Sequence, residues 1–165
     1  MMPPKLILAP TDFSDPSHAA LDVAADMASR FGAELLLVHV VPVIPDLPDS
    51  VTIFKEGEYE QNLQDIAAKQ LSELAATLGQ KNVKIRTEVG LANDVGMELV
   101  RIAEQNQVDM IVISTHGMSG WRQIAFGSVA KKVVEEADCP VLALRAKAKD
   151  ADTKSKTEST AASAR

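Results

Sequence analysis

The hydrophobic residues of this chain follow two alternating patterns. Short apolar runs at residues 6–9, 34–41, 110–113 and 141–144 have the length of buried strands. Residues 83–89 instead alternate apolar and charged side chains, which predicts a strand with one wet side, at the edge of a sheet. Between these runs, apolar residues recur three and four positions apart, at about residues 15–31, 56–78, 94–103 and 129–137. This spacing predicts four helices.

Several helix ends carry their own signals. Ser14 with Pro16 behind it predicts the start of the first helix, and Gly32 predicts its end. Asn93 is the predicted opening residue of the third helix, and Ser128 is the predicted N-cap of the fourth. Gly79 is the predicted stop of the second helix.

Five strands that alternate with four helices predict a doubly wound α/β domain. Strand–helix–strand repeats favour a parallel sheet with right-handed crossovers and helices on both faces. In open sheets of this kind, ligands bind at the carboxyl ends of the strands. The polar loop that carries Asp12 follows the first strand, so it is expected at such an end.

The stretch from Met110 to Ser128 contains the strongest chemical signal. A buried strand leads into Ser114, Thr115, His116 and Gly117, and Gly127-Ser128 precede the last helix. Unpaired amides and the helix dipole at a helix N-terminus favour anions, so this stretch predicts a phosphate site. The same glycines also occur in many α/β domains simply as turn and cap residues. The glycine spacing by itself leaves both interpretations open.

Composition and charge limit the possible functions. The chain has 165 residues, 46% of them hydrophobic, and no apolar run long enough to cross a membrane, which predicts one soluble domain. The formal net charge is −6, and the acidic residues lie mostly in the body of the chain, so no nucleic-acid surface is expected. A polar, lysine-containing end predicts a domain at residues 1–146 and a disordered tail at residues 147–165.

Two side chains with potential metal or redox chemistry are predicted to be structural. Cys139 is the single cysteine and is interpreted as a small buried hydrophobic residue. His39 lies in an apolar strand without a second ligand at metal-binding spacing, so it is interpreted as a core or sheet-face residue. The single cysteine, together with an N-terminus that does not resemble a signal peptide, favours a cytoplasmic location.

The last predicted strand, Val141–Leu144, is entirely apolar. A hydrophobic strand at a sheet edge invites pairing with another chain. We therefore expect a homodimer that pairs through this strand.

Three segments resemble the universal stress protein family. They are ILAPTDFSDPSHAAL near the start, LLLVHVV in the second strand, and VISTHGMSGWRQIAFGSVAKKVVEEADCPVLALR before the tail. The resemblance extends over nearly the whole chain up to Arg145. It implies an adenine-nucleotide alpha-hydrolase-like domain with strand order 3-2-1-4-5 that dimerises through its last strand. It also implies that ATP is the ligand in some members and not in others.

The ATP-binding members share a phosphate motif, in which a glycine, two residues, a second glycine and nine residues precede Gly-Ser or Gly-Thr. Gly117, the nine residues 118–126 and Gly127-Ser128 match this motif, while Ser114 replaces the first glycine. The resemblance implies roles for eleven residues. Adenosine contacts are Pro10, Thr11, Asp12 and the Val40 backbone; the ribose-phosphate path is Ser114, Thr115, His116 and Gly117; phosphate amides are Gly127, Ser128 and Val129.

These observations predict a dimeric, nucleotide-dependent stress or signalling protein that binds ATP, with Mg²⁺ carried by the phosphates and with an unidentified protein partner. No lysine of a Walker-type loop is present, so at most slow ATP hydrolysis is expected. Two alternatives stay open. One is a nucleotide-independent dimeric scaffold, suggested by Ser114, and the other is a phosphoryl- or nucleotidyl-transfer enzyme on the same fold.

Overall fold

The computed structural model describes residues 3–43, 57–115 and 126–145, which form a three-layer α/β unit. Its five strands make one parallel sheet in the order β3-β2-β1-β4-β5, as predicted. The elements in chain order are β1 (Leu6–Pro10), α1 (Asp15–Phe31), β2 (Glu34–Pro42), α2 (Glu58–Leu78), β3 (Lys84–Ala92), α3 (Val95–Gln105), β4 (Met110–Ser114), α4 (Ser128–Glu136) and β5 (Val141–Leu144).

Strand β1 lies at the centre of the sheet, and all five of its residues are buried. Its side chains alternate between two hydrophobic clusters, one on each face. Leu8 belongs to the cluster beneath α3 and α4, while Ile7 and Ala9 belong to the cluster beneath α1 and α2. Burial on both faces explains why this strand is an uninterrupted apolar run.

The caps of α1 form as predicted. The Ser14 hydroxyl accepts a hydrogen bond from the Ser17 N–H, and Gly32 ends the helix in the left-handed region at φ 66°. The predicted opening of α3 at Asn93 is wrong by one residue. Asp94 is the N-cap, because its carboxylate accepts a hydrogen bond from the Met97 N–H at 3.0 Å. A carboxylate at this position also suits the helix dipole.

The predicted N-cap of α4 needs a similar correction. Gly127, not Ser128, is the N-cap, and its carbonyl accepts the Lys131 N–H at 2.9 Å. The Gly127 N–H donates to the Thr115 carbonyl at 2.7 Å. This bond holds Gly127 at the helix boundary, one residue before the predicted N-cap. Ser128 is therefore the first residue inside the helix.

The two edges of the sheet differ in character. Strand β3 is nine residues long and carries exposed Lys84 and Arg86, both of which pair with Glu34 of β2. Strand β5 has four apolar residues, all half-buried, and pairs only with β4 among the strands described. The prediction of β3 as an edge strand is confirmed. The tail from residue 147 lies outside the described residues.

Gly96 allows α3 and α4 to approach closely. A Cβ atom added at this position would lie 2.7 Å from Cβ and Cγ of Lys132, well inside van der Waals contact. The close approach brings the first turn of α4 against the carboxyl end of the sheet. Gly96 is thus a packing glycine within the first turns of a helix.

Replacement of this glycine is expected to destabilise the fold. Gly96→Ala forces the two helices apart and should lower the free energy of unfolding by about 1–3 kcal/mol, the usual range for overpacking. Gly79→Ala is the matched control, because its backbone is helical and no atom lies within 4 Å of the added Cβ. The control should stabilise the protein by about 0.4–1 kcal/mol. Urea denaturation of both variants measures the difference, and equal midpoints would contradict this account of α3–α4 packing.

Candidate ligand-binding site

A cavity of about 240 Å³ opens at the carboxyl ends of β1, β2 and β4 and at the start of α4. All nine described residues from the predicted site contribute to its lining, namely Pro10, Thr11, Asp12, Val40, Ser114, Thr115, Gly127, Ser128 and Val129. His116 and Gly117, which were also predicted, lie outside the described residues. Residues more than a hundred positions apart in the chain therefore meet in one cleft.

The loop after β1 is held by its own side chains. The Thr11 N–H still donates to the Val38 carbonyl at 2.8 Å, as in the β1–β2 ladder. The Thr11 hydroxyl is buried, lies 2.9 Å from the Ser17 hydroxyl, and accepts the Phe13 N–H at 2.9 Å. Phe13 adopts a positive φ of 61°, which is uncommon for an aromatic residue. The chain therefore turns sharply away from the sheet at this residue.

Asp12 lies at the rim of the cavity with its carboxylate oriented by the next residues. Its Oδ1 atom accepts hydrogen bonds from the backbone N–H and the hydroxyl of Ser14, the N-cap of α1. These contacts hold a negative charge near the start of α1 and beside the cleft. A carboxylate fixed in this way is well suited to accept hydrogen bonds from ligand hydroxyl groups.

The opposite side of the cleft is the first turn of α4. The N–H groups of Ser128 and Val129 have no hydrogen-bond partner among the residues that the structure describes, as expected for a helix start. The role of the Gly127 amide in phosphate binding stays a prediction; in this structure its N–H donates to the Thr115 carbonyl. Thr115 is itself tied to β5 through its N–H, which donates to the Leu144 carbonyl at 2.8 Å.

Apolar side chains form a further part of the cavity lining. They come from β2, α3, β4 and α4, and they are Val38, Val40, Val95, Leu99, Ile113 and Ala130. Val40 was predicted as a contact through its backbone, but nothing in the sequence indicates that the other five also face a ligand. Their apolar side chains suit a flat, largely apolar group.

Two further lining residues, Ser17 and His39, were not predicted as site residues. The His39 ring is half-buried, and its Nδ1 atom lies 2.8 Å from the Thr11 carbonyl oxygen. The ring also packs on Phe13 with centroids 4.6 Å apart. The interpretation of His39 as a sheet-face residue is thus incomplete, because its side chain reaches over the end of β1 into the cavity wall.

Cys139 was predicted to be buried; it is half-buried and packs against the hydrophobic cluster beneath α3 and α4. Burial raises the pKa of its thiol, which lowers the fraction of reactive thiolate. Within residues 3–43, 57–115 and 126–145, no group of three or more His, Cys, Asp or Glu side chains could hold a metal ion. In the same ranges, no helix is both long enough and apolar enough to cross a membrane.

Comparison with known proteins identifies the family. A model of the universal stress protein family matches residues 4–145. The chain belongs to the universal stress protein family. It is 35% identical over 144 residues to universal stress protein MJ0531 of Methanocaldococcus jannaschii, with 86% of this chain and 82% of the relative covered. The predicted resemblance is confirmed.

Solved structures agree with this assignment. The structure of MJ0577, a universal stress protein of the same organism, matches with a TM-score of 0.77 and 29% identity, covering 90% of this chain and 99% of that one. At lower identity, 22% and 20%, the fold is shared by universal stress proteins solved with dAMP, from Archaeoglobus fulgidus, and with cAMP, at TM-scores of 0.59 and 0.62. These two cover 87% and 86% of this chain, and 98% and 96% of their own. The predicted fold class is confirmed.

The two serines beside the cleft are expected to differ in their effect on stability. Ser14→Ala removes the N-cap of α1 and a partner of Asp12, so it should lower the free energy of unfolding by about 1 kcal/mol. Ser128→Ala should change it by less than about 0.5 kcal/mol, because Ser128 is the first residue inside α4 and not its N-cap. Thermal or urea denaturation compares them. A larger effect at Ser128 would restore it as the functional cap of α4.

Proposed function

We propose that this chain binds an adenine nucleotide, with ATP as the physiological ligand, and acts as a dimeric nucleotide-dependent switch in a stress or signalling response. The observation that carries the proposal is the single cleft between Asp12 and the first turn of α4. Its lining combines apolar side chains next to the β2 backbone, a carboxylate, and helix amides that have no partner among the residues that the structure describes. These groups suit the base, the ribose and the phosphates of a nucleotide, respectively.

The base fits the apolar part of the cavity lining next to Val40. Pairing of β1 with β2 ends at Pro10 and Val38, so the Val40 N–H and carbonyl have no partner on that side among the strands that the structure describes. Adenine presents an amino donor beside a ring-nitrogen acceptor, which complements one carbonyl and one N–H. Proteins of the same fold solved with dAMP and cAMP carry this base, which supports the choice of adenine.

The ribose and the phosphates fit the polar groups of the cleft. Asp12 is suited to accept hydrogen bonds from ribose hydroxyls. The Ser128 and Val129 amides, together with the positive end of the α4 dipole, are suited to the phosphates. Ser114 replaces the first glycine of the family's phosphate motif, and its hydroxyl is expected to contribute a hydrogen bond there. In this proposal Mg²⁺ is held by the phosphates, and it supplies charge neutralisation when bound.

Dimerisation and location complete the proposal. The apolar edge strand β5 is suited to pair with β5 of a second copy, whereas the charged edge strand β3 is not. Thr115 of the cleft donates to Leu144 of β5, so the site and the edge share a hydrogen bond. We infer that bound nucleotide influences the dimer through this link, that the protein acts in the cytoplasm, and that hydrolysis is slow at most.

Nucleotide binding can be tested directly on the freshly purified protein. We expect denaturation to release an adenine nucleotide at near one per chain, identified by chromatography. Titration calorimetry with ATP, ADP and AMP, each with and without magnesium, then gives the preference. Absence of released nucleotide and of binding heat with all three would favour the scaffold alternative, whereas sustained turnover with a defined acceptor would favour the transferase alternative.

A matched pair of variants tests the phosphate end of the cleft. A Cβ added at Gly127 would lie 3.3 Å from the Thr115 carbonyl, so Gly127→Ala should shift the first turn of α4. The ATP affinity should fall about tenfold, as for one displaced hydrogen bond. Gly79→Ala, remote from the cleft, should leave the affinity unchanged. Equal affinities in the two variants would remove α4 from the site.

The dimer can be tested separately. Leu142 is half-buried on β5 and packs against the cluster beneath α1 and α2. Leu142→Asp introduces a charge into the proposed interface and should convert the dimer to monomer or aggregate in light scattering coupled to size exclusion. Arg86→Asp on the opposite edge strand is the control and should stay dimeric. A stable Leu142→Asp dimer would exclude β5 as the interface.

A further inference from the structure

The end of the β1–β2 ladder has an unusual feature. Strand β2 continues to Pro42 and stays paired with β3 as far as Ala92, while pairing with β1 stops at Val38. In a continued parallel ladder, the Val40 N–H would donate to the Thr11 carbonyl, and the Val40 carbonyl would accept the Phe13 N–H. Neither bond forms, although Thr11 and Phe13 follow directly after β1. Both partners that Val40 would take are bonded elsewhere.

The Thr11 carbonyl accepts a hydrogen bond from His39. The His39 Nδ1 atom lies 2.8 Å from this oxygen, and a carbonyl oxygen can only accept, so Nδ1 carries the proton. The ring is held in place by Phe13, with centroids 4.6 Å apart and planes inclined by 36°. The tautomer with the proton on Nδ1 follows from this contact.

The Phe13 N–H, which would donate to the Val40 carbonyl in a continued ladder, is bonded by the Thr11 side chain. Its hydroxyl accepts the Phe13 N–H at 2.9 Å, and Phe13 takes the left-handed φ of 61° that turns the chain away. The same hydroxyl is fixed by Ser17, whose side chain is buried. Two side chains, His39 and Thr11, therefore satisfy the backbone groups that would otherwise close on Val40.

We propose that His39 is a positioning residue that keeps the Val40 backbone open for the adenine edge, by donating its Nδ1–H to the Thr11 carbonyl. The Thr11 hydroxyl has the matching role toward the Phe13 N–H. This inference rests on the proposed adenine site at Val40. It goes further because it gives His39 a role in base recognition, although the His39 side chain bonds to the Thr11 carbonyl and not to Val40.

The composition of β2 supports this role. Val40 and Pro42 are the two β2 residues beyond the end of β1 that face the β1 side of the sheet. Proline has no N–H, so Val40 alone offers a donor and an acceptor together. If the Val40 N–H donated to the Thr11 carbonyl, that donor would not be available to a base in the cleft. A residue that prevents closure thus determines whether a base edge can be recognised.

Two amide substitutions separate this role from simple packing. The Asn side chain carries its amide nitrogen near the position of Nδ1, whereas the Gln nitrogen lies nearer Nε2. We expect His39→Asn to keep most of the ATP affinity and His39→Gln to lose about tenfold, the effect of one hydrogen bond. Equal affinities for ATP in the two variants would overturn the proposal. Circular dichroism and thermal melts confirm that both variants fold.

The base selectivity provides a readout that general damage to the site would not reproduce. GTP shares the triphosphate with ATP but presents a different base edge. In His39→Gln, the ATP affinity should fall while the GTP affinity stays as in the unmodified protein, so the ATP-to-GTP ratio falls about tenfold. An equal loss for both nucleotides would overturn the proposal, because it would indicate damage to the whole site.

Amide exchange of Val40 tests the same role without any ligand. In the unmodified protein its N–H should exchange faster than the N–H of Val38, which faces β1 within the paired part of the ladder. In His39→Gln the Val40 N–H should become protected as it pairs with Thr11. If no nucleotide binds, the proposed function fails and this exchange measurement alone decides the role of His39; unchanged protection overturns it.

A second variant covers the case in which a His39 substitution does not fold. Thr11→Val is nearly isosteric but removes the acceptor of the Phe13 N–H. The freed N–H can then pair with the Val40 carbonyl, so the same selective loss of ATP over GTP is expected. An unchanged ATP-to-GTP ratio in Thr11→Val would overturn the matching role of the hydroxyl and, with it, the account of Val40.

Discussion

The structure depends on the point at which the β1–β2 ladder stops. β1 is the central strand, buried on both faces, and it brings Thr11 and Asp12 to the carboxyl end of the sheet. Had the ladder continued by two more residues, the chain would have filled the cleft with its own backbone. Instead, side chains of Thr11, Asp12 and His39 take the hydrogen bonds of the backbone after β1, and the cleft stays open. Termination of a regular element is thus what creates the site.

The same principle recurs on the other side of the cleft. β4 ends at Ser114, and the Thr115 carbonyl accepts the Gly127 N–H, so two segments separated by eleven residues are joined across the cavity. This bond uses one amide of the approaching chain and leaves the next two, those of Ser128 and Val129, directed away from any protein partner that the structure describes. Gly96 then lets α4 lie against α3, which fixes where those amides lie.

Much of this architecture could be predicted from the sequence, because burial produces periodic patterns. All five strands and four helices were found, and the strand order followed from the family resemblance. The caps at Asp94 and Gly127 were each missed by one residue. At α3 the neighbouring Asn93 carries the same capping signal as Asp94, whose carboxylate takes the Met97 N–H. At α4 the bond from the Gly127 N–H to the distant Thr115 carbonyl has no signal in the sequence. The role of His39 was missed for a related reason. Its partner, the Thr11 carbonyl, is a backbone atom twenty-eight residues away, and no side-chain pattern reports it.

The contrast between the two sheet edges limits the size of the assembly that we propose. Among the strands that the structure describes, one sheet edge is apolar, β5, and the other is long and carries charged side chains, β3. In the proposed dimer the two β5 strands would pair with each other, and the combined sheet would end on β3 at either side. Each chain would therefore add one neighbour by this route. The assembly would stop at two copies, without the open-ended growth that a sheet with two apolar edges would permit.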